Sequence, residues 1–154
     1  MPSISTTARA NSWDADLFVS IHANASKEHS ARGCETFYCT GSPWGFLIAQ
    51  YVQGSLYKAV KDVAPSFPSR GVKEAFNLAV LRWTIMPAIL VETAFIDEVN
   101  DALLLKDYQG VFGYGIAMGI HQFLKDHERP KDDMLTRRII EDQGADTFFP
   151  PSYA

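Results

Sequence analysis

The chain predicts a single α/β layer domain, a mainly parallel twisted sheet flanked by helices. Three observations carry this. Short apolar runs of strand length alternate with long stretches of helical period. The runs DLFVSIHA (Asp16 to Ala23) and AILVE (Ala88 to Glu92) are apolar on both alternations, as expected of strands covered on both faces. A length of 154 residues, 47% hydrophobic and 21% charged, suits one core and is too apolar for a chain that stays unfolded.

The elements follow in order. In the first strand Phe18, Ser20 and His22 share one face and Val19 and Ile21 the other. A second strand is expected at CETFYC, Cys34 to Cys39, entered through Gly33 and left through Thr40-Gly41. Its two cysteines, five apart, point to opposite faces and cannot bridge. Ser42 then reads as an N-cap with Pro43 at the first helical position. The helix runs to about Val63, with Ala49, Val52, Leu56, Ala59, Val60 and Val63 on its apolar stripe, and stops before Pro65. Ala64 to Glu74, punctuated by Pro65, Pro68 and Gly71, reads as a loop carrying Arg70 and Lys73.

Leu78 to Arg82 and Ala88 to Glu92 read as two further strands around a Thr84 to Pro87 turn. Asn100 is expected to cap a short helix at Asp101 to Leu105. A longer helix covers about Tyr108 to Lys125, with Phe112, Ile116, Ile120, Phe123 and Leu124 inward. Gly115 and Gly119, four apart, suit close packing of that helix on the sheet. Residues 1–125 thus read as the domain and 126–154 as a charged tail, partly disordered, in which Met134 to Asp142 suits a short amphipathic helix.

Charge excludes some functions. The net charge is -4, and the tail alone holds seven acids against four bases, so the body is nearly neutral. No broad positive field is available for nucleic acid. No run approaches the roughly 20 apolar residues needed to span a bilayer, and the opening lacks the n-region and h-region of a secretory signal.

In an open parallel sheet, ligands bind outside the carboxyl ends of the strands, where this reading puts His22 and Glu92. A His and a Glu there suit a metal ligand and a general base, although single residues at strand ends more often cap loops. Glu35 reads as a surface residue of its strand, Glu28 and His29 as solvated loop residues, and His121 and His127 as surface or helix-end residues.

The wording around these residues narrows the class. Ala15-Asp16-Leu17-Phe18-Val19-Ser20-Ile21-His22-Ala23-Asn24 resembles a signature of the zinc-dependent N-acetylmuramoyl-L-alanine amidases of the amidase 3 family. Met86 to Glu92 with Phe95-Ile96 resembles a second, and Gly33 to Tyr38, Arg70 to Lys73 and Val80 to Arg82 match in order between them. The resemblance spans about Ala10 to Leu124.

It implies a peptidoglycan hydrolase that cleaves the amide between N-acetylmuramic acid and the first L-alanine of the stem peptide, at the cell wall or outside the cell. By motif His22 is similar to a zinc-binding His of the family and Glu92 to its catalytic Glu. Asn24 is expected to orient the loop after His22, and Arg82 to contact substrate. Arg70 and Lys73 read equally as partners for stem-peptide carboxylates or as a solvated loop pair.

The family's opening strand and helix, with a His and a Glu ligand, have no counterpart before His22, where the segment holds neither residue. The resemblance therefore implies an N-terminally truncated domain with one zinc ligand of three, an exposed sheet edge open to self-association, and, as the alternative, an inactive fragment that at most binds wall material or a partner. A non-metal hydrolase using Glu92 with His22 is the remaining reading, and no G-x-S-x-G nucleophile motif supports it.

Overall fold

In the computed structural model, residues 6–127 are described. The order is α1 (Thr6–Ser12), β1 (Phe18–Asn24), β2 (Cys34–Cys39), α2 (Pro43–Val63), β3 (Ser69–Ala75), α3 (Ala79–Arg82), β4 (Ala88–Phe95), α4 (Val99–Asp107) and α5 (Gln109–Asp126). The strands form one sheet in the order β1-β4-β2-β3. β1 lies parallel to β4 and β2 parallel to β3, but the central pair, β2 with β4, is antiparallel. The sheet is therefore mainly parallel with one reversal at its middle, and that reversal decides which residues meet at the site.

α2 begins as its sequence dictates. The Ser42 hydroxyl accepts from the Gly45 N–H at 2.8 Å, satisfying one of the unpaired donors of the first turn, and Pro43 follows it. Ile48, Ala49, Val52, Leu56 and Val60 then pack with Val91 and Ile89 of the sheet and with Phe112, Ile116 and Phe123 of α5 in the main core. Val63 and Leu124, expected inward, are exposed on the last turns of their helices. On the opposite face a smaller cluster joins Leu81 of α3 to Cys39, Ala75, Ala88 and Leu90. Cys34 and Cys39 fall into the two separate clusters as free thiols, as alternation predicts, and burial pushes the Cys34 thiol up to about 12.

Several expectations are corrected. Ser69 to Ala75, read as loop, is strand β3, and Leu78 to Arg82, read as strand, ends in the single turn α3. β1 is an edge strand rather than one covered on both faces: it pairs with β4 alone, and Ile21 is 57% exposed. The cap of α4 is Glu98, whose carboxylate accepts from the Asp101 N–H at 3.0 Å, not Asn100. α1 was not foreseen; Asn11 pins it by donating to the Trp83 carbonyl at 2.9 Å and accepting from the Ile85 N–H at 3.1 Å. α5 reaches Asp126, and the tail helix expected at 134–142 lies outside the described residues.

Gly115 and Gly119 act at a helix–helix contact, not on the sheet. A Cβ at Gly119 would lie 2.6 Å from the Val52 Cα, and one at Gly115 2.8 Å from the Leu56 Cα, so both let α5 press its backbone against α2. Gly113, on the outer side of α5, has open space around it.

One buried acid ties the loops to the frame. Asp101, fully buried, accepts from the Gly33 N–H at 2.7 Å, the Phe95 N–H at 3.1 Å and the Arg32 Nε at 3.1 Å, joining the entry of β2 to the exit of β4.

The glycine contact gives a paired prediction. Gly119→Ala should lower stability by about 1–3 kcal/mol through overpacking, whereas Gly113→Ala should raise it by about 0.5–1 kcal/mol through helix propensity. Urea unfolding of both variants measures the two signs.

Candidate active site

The site is assembled on the α3 side of the sheet. β1 and β4 run in parallel register with His22 beside Glu92, and the antiparallel β2 brings Glu35 to the other side of Glu92. Alternation then sends Ser20, His22, Glu35 and Glu92 to the same face as Phe18, Phe37 and Leu90. A cleft of about 340 Å³ opens there, lined among others by Asn24, Glu35, Glu92, Phe37, Leu90 and Phe76.

Glu92 is half-buried; its Oε2 is buried and has no hydrogen-bond partner among the described residues. Burial raises its carboxyl above the ordinary Glu value of 4.5, and the Glu35 charge adds to the rise while His22 opposes it. His22 is exposed at the edge strand, with Ser20 Oγ 2.7 Å from its Nε2 and its carbonyl accepting from the Thr93 hydroxyl at 2.8 Å.

Glu35 is the residue that sequence reasoning missed. It is 3% exposed, not a surface residue, because β2 lies between β4 and β3. Arg70 Nε donates to its Oε2 at 2.9 Å, Lys73 donates to the same oxygen, and Asn24 Nδ2 donates to Oε1 at 2.7 Å. Burial acts to raise its carboxyl, but the bonds and charges of Lys73 and Arg70 outweigh it and hold Glu35 below its ordinary value. The signal available in the sequence was the alternation of CETFYC, which puts Glu35 on the face of Phe37 and Cys39.

The other candidate residues are placed as follows. Asn24 does orient its loop, its Oδ1 accepting from the Ala25 N–H at 2.8 Å, and it also holds Glu35. Arg70 and Lys73 are neither a solvated loop pair nor unengaged cations, since both lie on β3 and bind Glu35. Arg82 does not end a strand; it closes α3, its guanidinium 5.1 Å from the Phe76 ring centre and 5.3 Å from that of Trp83. His29 remains a solvated loop residue, its side chain 71% exposed, and pairs with Asp97 at 2.7 Å. His121 is exposed, and His127 sits among Trp44, Tyr51 and Phe123, all away from the cleft.

A helix-flanked sheet with two carboxyls in one cleft, Glu35 shifted below its ordinary value and Glu92 above it, defines an α/β domain of a kind suited to acid–base chemistry. The particular family is shown by comparison: the chain belongs to Amidase_3, N-acetylmuramoyl-L-alanine amidase, whose model matches residues 2–122. It is similar to the N-acetylmuramoyl-L-alanine amidase LytC of Bacillus subtilis (strain 168), at 37% identity over 119 residues, covering 73% of this chain and 22% of that protein. It is also similar to the endolysin of Bacillus phage SPP1, at 36% identity over 126 residues, covering 79% of this chain and 45% of the endolysin. The solved N-acetylmuramoyl-L-alanine amidase from Clostridium difficile 630 superposes with a TM-score of 0.70 and 34% identity, over 77% of this chain and 63% of that one. The chain thus spans less than half the length of the two curated relatives named here.

The Glu35 cluster has a measurable sign. A carboxyl held below its unfolded value adds stability that is present above about 4.5 and is lost as pH falls through the folded value. Glu35→Gln should therefore cost about 2 kcal/mol near pH 7. In urea titrations from pH 7 to pH 3, the gap between the variant and the parent chain should narrow below the ordinary Glu value of 4.5.

Proposed function

We propose that this chain carries the Glu92 part of a peptidoglycan amidase site, which hydrolyses the amide between N-acetylmuramic acid and the first L-alanine of the stem peptide. Glu92 is the general base and His22 one zinc ligand. The observation that carries the reading is the setting of Glu92: half-buried, its Oε2 unpartnered among the described residues, and its carboxyl raised above the ordinary value by burial, in register with His22 at the cleft. A carboxylate in that state takes a proton from attacking water and returns it to the leaving amine nitrogen. Arg70 and Lys73 engage Glu35, the second carboxyl of the cleft, and Glu92 is the carboxyl left to move protons.

Zinc, when bound, polarises the scissile carbonyl and lowers the pKa of water to about 7. Catalytic zinc takes three protein ligands, and among the described residues no group of three or more His, Cys, Asp or Glu converges. His22 is one ligand and does not make that site by itself, so the steps assigned to this chain are the proton transfers of Glu92 and the binding of substrate along the cleft. The lone ligand favours a second reading, a domain that binds wall material without cutting it.

Peptidoglycan is the partner on either reading, and the setting is the cell wall or the outside of the cell; no described helix is long and apolar enough to cross a membrane. The uncovered edge of β1, with Ile21 exposed, is the surface through which two copies would pair.

Digestion of purified peptidoglycan, scored as newly freed L-alanine amines with added zinc and again with a chelator, tests this. Chelator-sensitive release that falls by at least about 10²-fold in Glu92→Gln, the scale of a lost general base, is the expected result. Undiminished release in that variant removes Glu92 from the chemistry, and no release from the folded parent chain selects the binding reading.

A further inference from the structure

Beside Glu35 and Glu92, the cleft is lined by Glu74 and Ala75 at the end of β3 and by Phe76, Asn77 and Leu78, which lead to α3. Phe76 is unusual there. It is a large apolar ring, 66% exposed, at a position that joins two elements and contributes nothing to either buried cluster. On the wall of a cleft, an exposed ring of this size offers a ligand apolar area to cover.

The ring is also held in position. The Arg82 guanidinium lies over it at 5.1 Å and over the Trp83 ring at 5.3 Å, so a cation is layered between two aromatics. With Arg82 against the ring and two-thirds of the residue exposed, Phe76 offers apolar area on the cleft wall. Arg82 braces this platform.

We propose that Phe76, braced by Arg82, is a stacking platform for the apolar face of an N-acetylated pyranose, and that it fixes the direction in which substrate lies along the cleft. The inference rests on the peptidoglycan reading above and adds the position of the sugar. A gluco-configured pyranose lines its faces with axial C–H groups and carries its hydroxyls on the rim, so it covers an aromatic plane while leaving its polar groups to water and to Asn77. A stem peptide offers no comparable flat apolar face to the ring. The glycan accordingly lies toward Phe76 and the stem peptide toward the other end of the cleft, with the scissile amide between them near Glu92. Phe76 is a specificity-determining residue in this scheme and takes no part in the proton transfers.

Binding of soluble ligands to the full 154-residue chain tests the proposal without any need for turnover. The probes are an N-acetylmuramoyl tripeptide and the same tripeptide without its sugar, titrated by calorimetry into the parent chain, Phe76→Ala and Phe76→Tyr. Loss of one aromatic stacking contact should weaken the muramoyl ligand by about tenfold in Phe76→Ala. Phe76→Tyr should restore its affinity, and the free peptide should bind all three alike. The exposed position predicts an unchanged thermal midpoint. Equal weakening of both ligands in Phe76→Ala, or no weakening of either, overturns the platform while leaving the peptidoglycan reading in force. A parent chain that binds neither ligand overturns the peptidoglycan reading and the platform with it.

Discussion

The site depends on one electrostatic constraint: two carboxyls, Glu35 and Glu92, stand in register on adjacent strands of the same face. Like charges at that separation in a half-buried cleft cannot both be ionised without compensation. Arg70 and Lys73 supply it to Glu35 alone, since both bind its Oε2 while Glu92 Oε2 has no partner among the described residues. The lowered Glu35 carboxyl and the raised Glu92 carboxyl follow from that difference. The division of labour is set by backbone register, with β3 beside β2 and β2 antiparallel to β4.

The same constraint links chemistry to folding. Glu35 is tied through Asn24 to the loop that follows His22, and Asp101 ties the entry of β2 to the exit of β4. Asn24, on the cleft wall, is thus held by the buried Glu35. Behind the sheet, the close approach of α5 to α2 at Gly115 and Gly119 seals the larger core, so that face is committed to stability and the α3 face is left for the cleft.

Much of this was legible in the sequence where local chemistry dictates structure. Ser42 and Pro43 start α2 because a hydroxyl cap and a fixed φ favour it, and strand alternation is enough to send His22 and Ser20 to one face. Failures came where tertiary pairing overrides local signals. Pro65, Pro68 and Gly71 punctuate the segment around β3, and only its partnership with β2 makes Ser69–Ala75 a strand. LAVLR is too short and too evenly apolar for its period to separate strand from helix, and it became α3. The misreading of Glu35 followed from the first of these: with Arg70 and Lys73 assigned to a loop, no cations were at hand to let a carboxylate be buried. The Phe76 platform was hidden for a related reason, since Arg82 reaches Phe76 only because α3 turns the chain back on itself.

The most direct test of this account is a carboxyl ¹³C NMR titration of the chain with Glu35 and Glu92 assigned through Glu35→Gln and Glu92→Gln. The account predicts that Glu35 titrates below the ordinary value of 4.5 and Glu92 above it. Titration of Glu92 below Glu35, or of both at the ordinary value, would contradict it.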